Sequence, residues 1–279
     1  MTEFIETVLR AKREMKPDTV LLLTDRKELM EQLSDQIDDI PITIFTGSPA
    51  LSSFLSKKNV DLQRIKDSPA VGLDVLDQVK ELVLSCVARG LIDDGEKVML
   101  VVSADVQTIL CFDLDELGVV NLRKEMEGRI DIELLEHVFK LGTKVAREGK
   151  EGFPAGALFI IGDMNRVLNK TTESVQNPLE GQADQQNNIK EMDNWNTIKE
   201  FAMLDGALVL DRFGNPVAAG RYVMFKDDSD VQVEDGLGGR HLAASYISEK
   251  TKAVAMVVSA ERTIRLYKDG EKIYEADVI

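Results

Sequence analysis

The sequence predicts an α/β protein with two domains. A parallel α/β domain is expected at residues 1–125, and a mixed sheet flanked by helices at residues 126–279. In the first part, short apolar runs alternate with amphipathic helical patterns, which is typical of parallel strands joined by helices. In the second part, apolar runs are joined partly by helices and partly by a hairpin across Asp269-Gly270. A length of 279 residues is sufficient for two such domains.

The first domain should begin with an amphipathic helix over residues 2–15. Asp25 is expected to open the helix that follows the first strand, because an Asp with a Glu three residues later is an N-terminal helix pattern. Ser48 is expected to cap the next helix, and a longer helix should end near Gly90. The predicted strands are the apolar runs at residues 19–23, 42–45 and 98–102.

The second domain should begin with a helix that has an apolar face at residues 132–141 and ends near Gly149. Residues 163–194 are rich in Asn, Gln, Asp and Thr, and we expect this segment to be the least structured part of the domain and to lie beside the site. Order should resume with a helix at Trp195. The predicted strands are at residues 156–162, 207–210, 217–219, 253–258, 263–267 and 272–274.

Composition restricts the functional class. The formal net charge of −15 argues against broad binding of nucleic acids or anionic membranes. The sequence contains no apolar run long enough to span a membrane, and residues 1–4 lack the basic-then-apolar form of a signal peptide. Cys86 and Cys111 both lie in apolar runs, so we expect buried thiols rather than a disulfide or a metal pair. The expected compartment is therefore the cytoplasm.

A candidate site is predicted where two short motifs would meet. Asp205 precedes a buried strand, and Gly238-Gly239-Arg240-His241 stands where a Gly-rich segment becomes a helix. A carboxylate can hold a cation, while a helix N-terminus with arginine can hold phosphate. Each motif is weak alone, because an Asp before Gly is usually a turn residue and the glycines do not fit G-x-G-x-x-G spacing.

Together, the motifs resemble a known family. The order is the strand at residues 156–162, a polar segment, Leu-Asp-Gly-Ala-Leu-Val-Leu-Asp, Gly-Gly-Arg-His-Leu-Ala-Ala and Val-Val-Ser-Ala-Glu-Arg. This order resembles the diadenylate cyclase (DAC) domain over residues 130–279. The pattern from Val79 to Val98 resembles the C-terminal α/β domain of pyruvate kinases, which is regulatory in that family. The pairing of the two resembles the archaeal type of diadenylate cyclase.

The resemblance implies an enzyme that joins two ATP molecules into cyclic di-AMP, uses Mn²⁺ or Mg²⁺, and works as a homo-oligomer with at least two facing chains. It implies metal binding by Asp205 and Glu261, and catalysis by Asp205, Arg240 and His241. The residues implied to contact ATP are Gly206, Ala207, Gly238, Gly239, Arg240, His241 and Ser259. The N-terminal domain would regulate or assemble the enzyme.

One residue departs from the family pattern. Leu242 stands where many members have a second arginine, and activity depends on whether that arginine contacts phosphate or packs behind the loop. Helical periodicity predicts that Leu242 faces inward, which leaves Arg240 and His241 at the helix mouth. Two alternatives stay open: a non-catalytic sensor of ATP or cyclic di-AMP, and an assembly protein in which the Gly-rich segment only caps a helix.

Overall fold

A computed structural model describes residues 2–48, 60–64, 79, 82–83, 85–87, 90–93, 95–104, 106–114, 122, 125–181, 187–225 and 236–278. The chain divides into two compact units, Met1–Asn121 and Leu122–Ile279. Within the ranges given, none of the helices combines the length and apolarity needed to cross a membrane.

Unit 1 is an α/β layer structure. Its sheet has the order β3-β2-β1-β4-β5, in which the first four strands are parallel and β5 runs antiparallel to β4. Every residue of β1 and β2 is buried, as expected for strands covered on both faces. The elements are α1 (Thr2–Met15), β1 (Thr19–Thr24), α2 (Lys27–Gln36), β2 (Ile42–Thr46), β3 (Val60–Arg64), β4 (Lys97–Ser103) and β5 (Gln107–Asp113).

The helix and strands predicted at the start of unit 1 are confirmed, but the role of Asp25 is not. The N-cap of α2 is Arg26, with no capping bond from its side chain. Asp25 Oδ1 instead accepts hydrogen bonds from the Thr46 hydroxyl at 2.7 Å and from the Gly47 amide at 2.8 Å. The Asp25 side chain therefore joins the ends of β1 and β2 and does not cap α2. The start of the helix predicted at Ser48 lies outside the described residues.

Two strands of unit 1, β3 and β5, were not predicted. The residues Thr108–Phe112 of β5 are only half-buried, whereas the central strands are fully buried. Cys111 lies on β5 and is partly exposed, so the expected burial is correct for Cys86 only. In the predicted long helix, Val79, Val83 and Cys86 are helical and buried, and Leu82 is helical and half-buried.

Unit 2 has a mixed sheet of the order β12-β11-β10-β6-β8-β9-β7, in which β6 and β8 are parallel and the other pairs are antiparallel. This agrees with the predicted fold class. The elements are α3 (Ile132–Glu148), β6 (Ala157–Ile161), α4 (Met164–Asn169), β7 (Thr171–Glu173), a 3-10 helix (Met192–Asn194), α5 (Trp195–Ala202), β8 (Ala207–Leu210), β9 (Pro216–Val223), α6 (Gly239–Lys250), β10 (Val254–Val258), β11 (Thr263–Lys268) and β12 (Glu271–Asp277).

Helices cover both faces of this sheet. On one face, α6 and α4 form a core with alternate residues of the strands. In this core, Ala244 and Ile247 of α6 lie with Leu158 of β6 and Val257 of β10. On the other face, α3 packs so closely that a Cβ at Gly142 would lie 2.7 Å from Met256 Cε. A glycine inside a helix costs about 0.5–1 kcal/mol relative to alanine. The close approach of α3 to β10 explains why glycine occupies position 142.

The prediction that residues 163–194 lack structure was wrong for much of the segment. It contains α4, β7 and the 3-10 helix, while residues 182–186 lie outside the described part. Val167 and Leu168 give α4 its buried side. Strand β7 has no apolar pattern, and forms because its backbone pairs with β9, Thr171 opposite Val223.

Candidate functional site

One edge of the unit 2 sheet collects the predicted site residues. Strands β6 and β8 are parallel and begin at this edge, and β10 ends there because Val258 pairs with Ala157. Asp205 therefore lies at the same edge as the turn that follows β10, with the start of β6 between them. Helix α6 leads into β10 and packs on it, so α6 begins at the same edge. A Cβ at Gly156, just before β6, would lie 3.1 Å from Arg240 Nη1 and 3.0 Å from the Val258 oxygen.

Asp205 presents an exposed carboxylate on a fixed backbone. The hydroxyl of Ser174 donates a hydrogen bond to the Asp205 carbonyl oxygen at 2.6 Å. Gly206 has φ +110°, and a Cβ there would lie only 2.7 Å from the Arg221 backbone nitrogen. Only glycine allows this conformation and this approach. The next residue, Ala207, is buried in the core and begins β8.

Tyr222 was not predicted from the sequence, and it contacts Asp205 directly. Its phenol donates a hydrogen bond to Asp205 Oδ2. This bond is the largest cause of a Tyr222 pKa above the ordinary tyrosine value, and the charge of Arg240 acts on the same group in the opposite direction. Asp205, Tyr222 and Arg240 therefore lie within electrostatic reach of one another.

The start of α6 has no side-chain cap. Gly238 is the N-cap in an extended conformation, and no side-chain capping bond is made there. The amides of His241 and Leu242 bond back to the Gly238 oxygen, so those of Gly239 and Arg240 precede the helical pattern. Among described residues, no atom lies within 4 Å of a Cβ built at Gly238 or Gly239. Uncapped amides at a helix N-terminus are suited to binding an anion.

His241 does not lie at the helix mouth as predicted. Its side chain is buried, with Nδ1 lying 3.0 Å from the Tyr267 hydroxyl, whereas Leu242 is partly exposed. Burial, followed by the charge of Arg265, holds the pKa of His241 below its ordinary value. The imidazole is thus neutral near pH 7, and the predicted rotation of α6, with Leu242 inward and His241 outward, was wrong. Arg240 is exposed as expected.

The turn after β10 carries the other two predicted residues. The hydroxyl of buried Ser259 accepts a hydrogen bond from the Thr263 amide at 3.2 Å, so it stabilises the turn between β10 and β11. Glu261 is exposed. Hydrogen bonds to its own backbone amide and to Ser259 hold its pKa below the ordinary value, which keeps this carboxylate ionised.

The residues fit a metal that arrives with a nucleotide better than a resident ion. No group of three His, Cys, Asp or Glu side chains suitable for a metal is found in the described ranges. Asp205 and Glu261 are nevertheless exposed carboxylates at one edge of the sheet. Mg²⁺ is commonly bound by one or two carboxylates together with substrate phosphates, so one of these carboxylates is sufficient for such a site.

Parts of the chain are similar in sequence to known proteins. Residues 144–272 match the DAC family model, described as DisA bacterial checkpoint controller nucleotide-binding. A diadenylate cyclase of Methanocaldococcus jannaschii is 35% identical over 178 residues, which cover 59% of this chain and 55% of that protein. A diadenylate cyclase of Haloferax volcanii is 27% identical over 274 residues and 93% of each chain. The chain thus spans about half the length of the first relative and nearly all of the second.

Among solved structures, a double mutant of DacA from Staphylococcus aureus gives a TM-score of 0.35 at 22% identity, covering 53% of this chain and 87% of that one. A likeness at this level carries no argument about the site. The resemblance of the first 125 residues to pyruvate kinase C-terminal domains stays a prediction.

Proposed function

We propose, from the DAC domain to which residues 144–272 belong, that this protein is a diadenylate cyclase that converts two ATP molecules into cyclic di-AMP and two pyrophosphates. The observation that carries the proposal is the convergence at one sheet edge of the Asp205 carboxylate, the Arg240 guanidinium and the open N-terminus of α6. These groups match what phosphoryl transfer needs, a carboxylate near the attacking hydroxyl and positive groups around the phosphate.

In each half-reaction, the ribose 3′-hydroxyl of one ATP attacks the α-phosphorus of the other. A new oxygen–phosphorus bond forms, the bond to pyrophosphate breaks, and the hydroxyl loses its proton. We assign Asp205 to orienting that hydroxyl and to assisting the loss of the proton, because its carboxylate is exposed and its backbone is fixed by Ser174. Positioning of the two reactants supplies much of the expected rate acceleration.

Positive groups at the start of α6 would hold the phosphates. The Arg240 guanidinium is exposed and can pair with two phosphate oxygens. The amides of Gly239 and Arg240 can donate to the same oxygens. The neutral imidazole of His241 is buried with its Nδ1 at Tyr267, so it would support the start of α6 and would not itself contact phosphate.

Asp205 and Glu261 are the residues that would hold a divalent metal, Mn²⁺ or Mg²⁺. When bound, such an ion supplies positive charge next to the phosphates and favours ionisation of the attacking hydroxyl. Both carboxylates are exposed, so an ion that arrives with the substrate phosphates can reach them.

We also propose that two chains face each other across this edge, in the cytoplasm. The product has two-fold symmetry, and one site of this kind holds one ATP, so each chain would supply half of the reaction. Exposed apolar side chains support a partner at this edge. Phe153, shortly before β6, is 73% exposed, and Tyr222 at the end of β9 is 43% exposed. Activity per chain should therefore fall on dilution, together with the mass measured by sedimentation; constant activity from a monomer would refute the pair.

The test of function is the formation of cyclic di-AMP, measured by mass spectrometry after incubation with ATP and either Mn²⁺ or Mg²⁺. The wild-type chain should form the product, and Asp205→Asn should form none. Asp193→Asn is a matched control, because it removes the charge of an exposed carboxylate in the 3-10 helix before α5. ATP binding without product from the wild type would refute the cyclase and support a nucleotide sensor.

For unit 1 we propose a role in regulation or assembly. Its five-stranded sheet lies entirely within residues 1–121, and none of the site residues named above belongs to it. Deleting residues 1–121 should change either the oligomer size or the activity. If both stayed the same, unit 1 would have neither role.

A further inference from the structure

The side chain of Asp205 is held as firmly as its backbone, and the contact comes from a neighbouring strand. Tyr222 lies near the end of β9, next to Arg221, and donates its phenolic hydrogen to Asp205 Oδ2. Asp205 is thus bound on two sides, since Ser174 holds its carbonyl oxygen. The remaining carboxylate oxygen, Oδ1, has no hydrogen-bond partner in the described part of the chain.

The strand that carries Tyr222 is itself anchored. The guanidinium of Arg221 donates to the Thr171 hydroxyl at 3.1 Å, to the Thr171 carbonyl at 2.9 Å and to Glu173 Oε1 at 3.0 Å. These bonds join β9 to β7 at the residue before Tyr222, which itself pairs with Thr172 of β7. A phenol on an anchored strand can fix the orientation of a carboxylate, whereas a phenol on a mobile loop cannot.

Tyr222 has little to do for stability. Its ring is 43% exposed, and a hydrogen bond between two exposed groups replaces bonds that both groups would otherwise make to water. The contact lies instead at the carboxylate that the proposed function uses. A group that orients a reacting side chain contributes through geometry, because small misplacements near the reaction lower the rate strongly.

We propose that Tyr222 is a positioning residue for Asp205, whose Oδ2 it holds so that Oδ1 is directed to the ribose 3′-hydroxyl or to the metal. The role rests on the proposed function. It predicts a specific split of kinetic constants. Tyr222→Phe keeps the ring and removes only the hydrogen bond, so kcat should fall about tenfold to a hundredfold, while KM for ATP and the urea midpoint stay near the wild-type values.

The matched control is Tyr274→Phe. Tyr274 lies on β12, and its ring packs edge-on against Phe139 of α3, on the sheet face opposite α6. This variant removes the same atom from the same unit, away from the site, and should leave kcat unchanged. Tyr222→Ala distinguishes a second role. If the ring itself contacted the nucleotide, Ala would raise KM whereas Phe would leave both constants unchanged, and that result would overturn the proposal.

The proposed function and the positioning role of Tyr222 would be refuted by different results. An inactive wild-type chain would refute the proposed function, and the positioning role with it. An active wild type together with a fully active Tyr222→Phe would refute the positioning role alone. A lower kcat at constant KM in Tyr222→Phe, with both constants unchanged in Tyr274→Phe, would establish it.

Discussion

Gly206→Ala tests whether the backbone at the start of β8 requires a residue without a side chain. Gly206 has φ +110°, and the added methyl group would lie 2.7 Å from the Arg221 nitrogen and 2.8 Å from the Gly220 carbonyl carbon. Both neighbours are backbone atoms of β9, which is paired with β8 and β7. They therefore cannot yield by a simple rotation of a side chain.

The expected loss of stability in Gly206→Ala has two parts. A residue with a side chain in a glycine-only region of φ costs about 1–3 kcal/mol. Forcing a methyl group into packed backbone adds about 1–3 kcal/mol more. Gly152→Ala isolates the first part, since Gly152 has φ +82° with nothing described within 4 Å of its Cβ position. Gly206→Ala should therefore lose about 1–3 kcal/mol more stability than Gly152→Ala.

Trp195 provides an assay for unit 2 alone. It is the single tryptophan of the chain, it is buried in α5, and its indole N–H donates to the Ile189 oxygen at 2.6 Å. Its fluorescence during urea unfolding gives the free energy of unfolding of this unit. Equal losses in the two variants, to within about 0.5 kcal/mol, would show that the close approach at Gly206 has no energetic consequence and would refute the reasoning.

Three further predictions concern α6. Gly239→Ala should leave the urea midpoint unchanged, because nothing described lies near its Cβ, but should weaken ATP binding about tenfold, or about 1.4 kcal/mol, by calorimetry; unchanged affinity would place the phosphates elsewhere. His241→Gln should lose less stability than the wild type as the pH falls. Burial lowers the pKa of His241 in the folded state, so the unfolded state takes up the proton first. The wild type therefore loses, below about pH 6.5, stability that it has above this pH, by at most about 1.4 kcal/mol per pH unit. Parallel curves for the two proteins would contradict this. Leu242→Arg should be as stable as the wild type, since Leu242 is partly exposed. It should bind ATP more tightly than the wild type does, by a larger factor at low salt than at high salt. A ratio of the two affinities that did not change with salt would show that this position is remote from the phosphates.

The central strands could be predicted from the sequence because their burial leaves a direct trace. Strands β1, β6 and β10 are continuous apolar runs, and the structure buries them on both faces. Strands at the margins leave no such trace. Thr171–Glu173 forms β7 only because β9 offers unpaired backbone groups, and a pairing of this kind depends on a distant segment rather than on local composition.

The carboxylate and the helix start of the candidate site could also be predicted, but Tyr222 could not. Asp205 and Tyr222 are 17 residues apart, and the register between β8 and β9 decides whether they meet. That register is irregular, with shifts between Ala207 and Val209 and again between Val209 and Leu210. A regular hairpin drawn from the sequence would place a different residue of β9 beside Asp205.

The rotation of α6 explains the remaining error. Periodicity defines a helix face only when one side is clearly polar, yet α6 is buried at His241 and at all residues from Ala243 to Ser248. Its polar side chains are buried because the fold gives them partners. The Ser245 hydroxyl donates to the Gly270 oxygen, and His241 meets Tyr267. Hydrogen bonds to the β11–β12 hairpin therefore set the rotation, which turns Leu242 towards the outside. Leu242, in place of the arginine that the resemblance predicts, therefore changes the charge at the surface of the helix start and leaves the core unchanged.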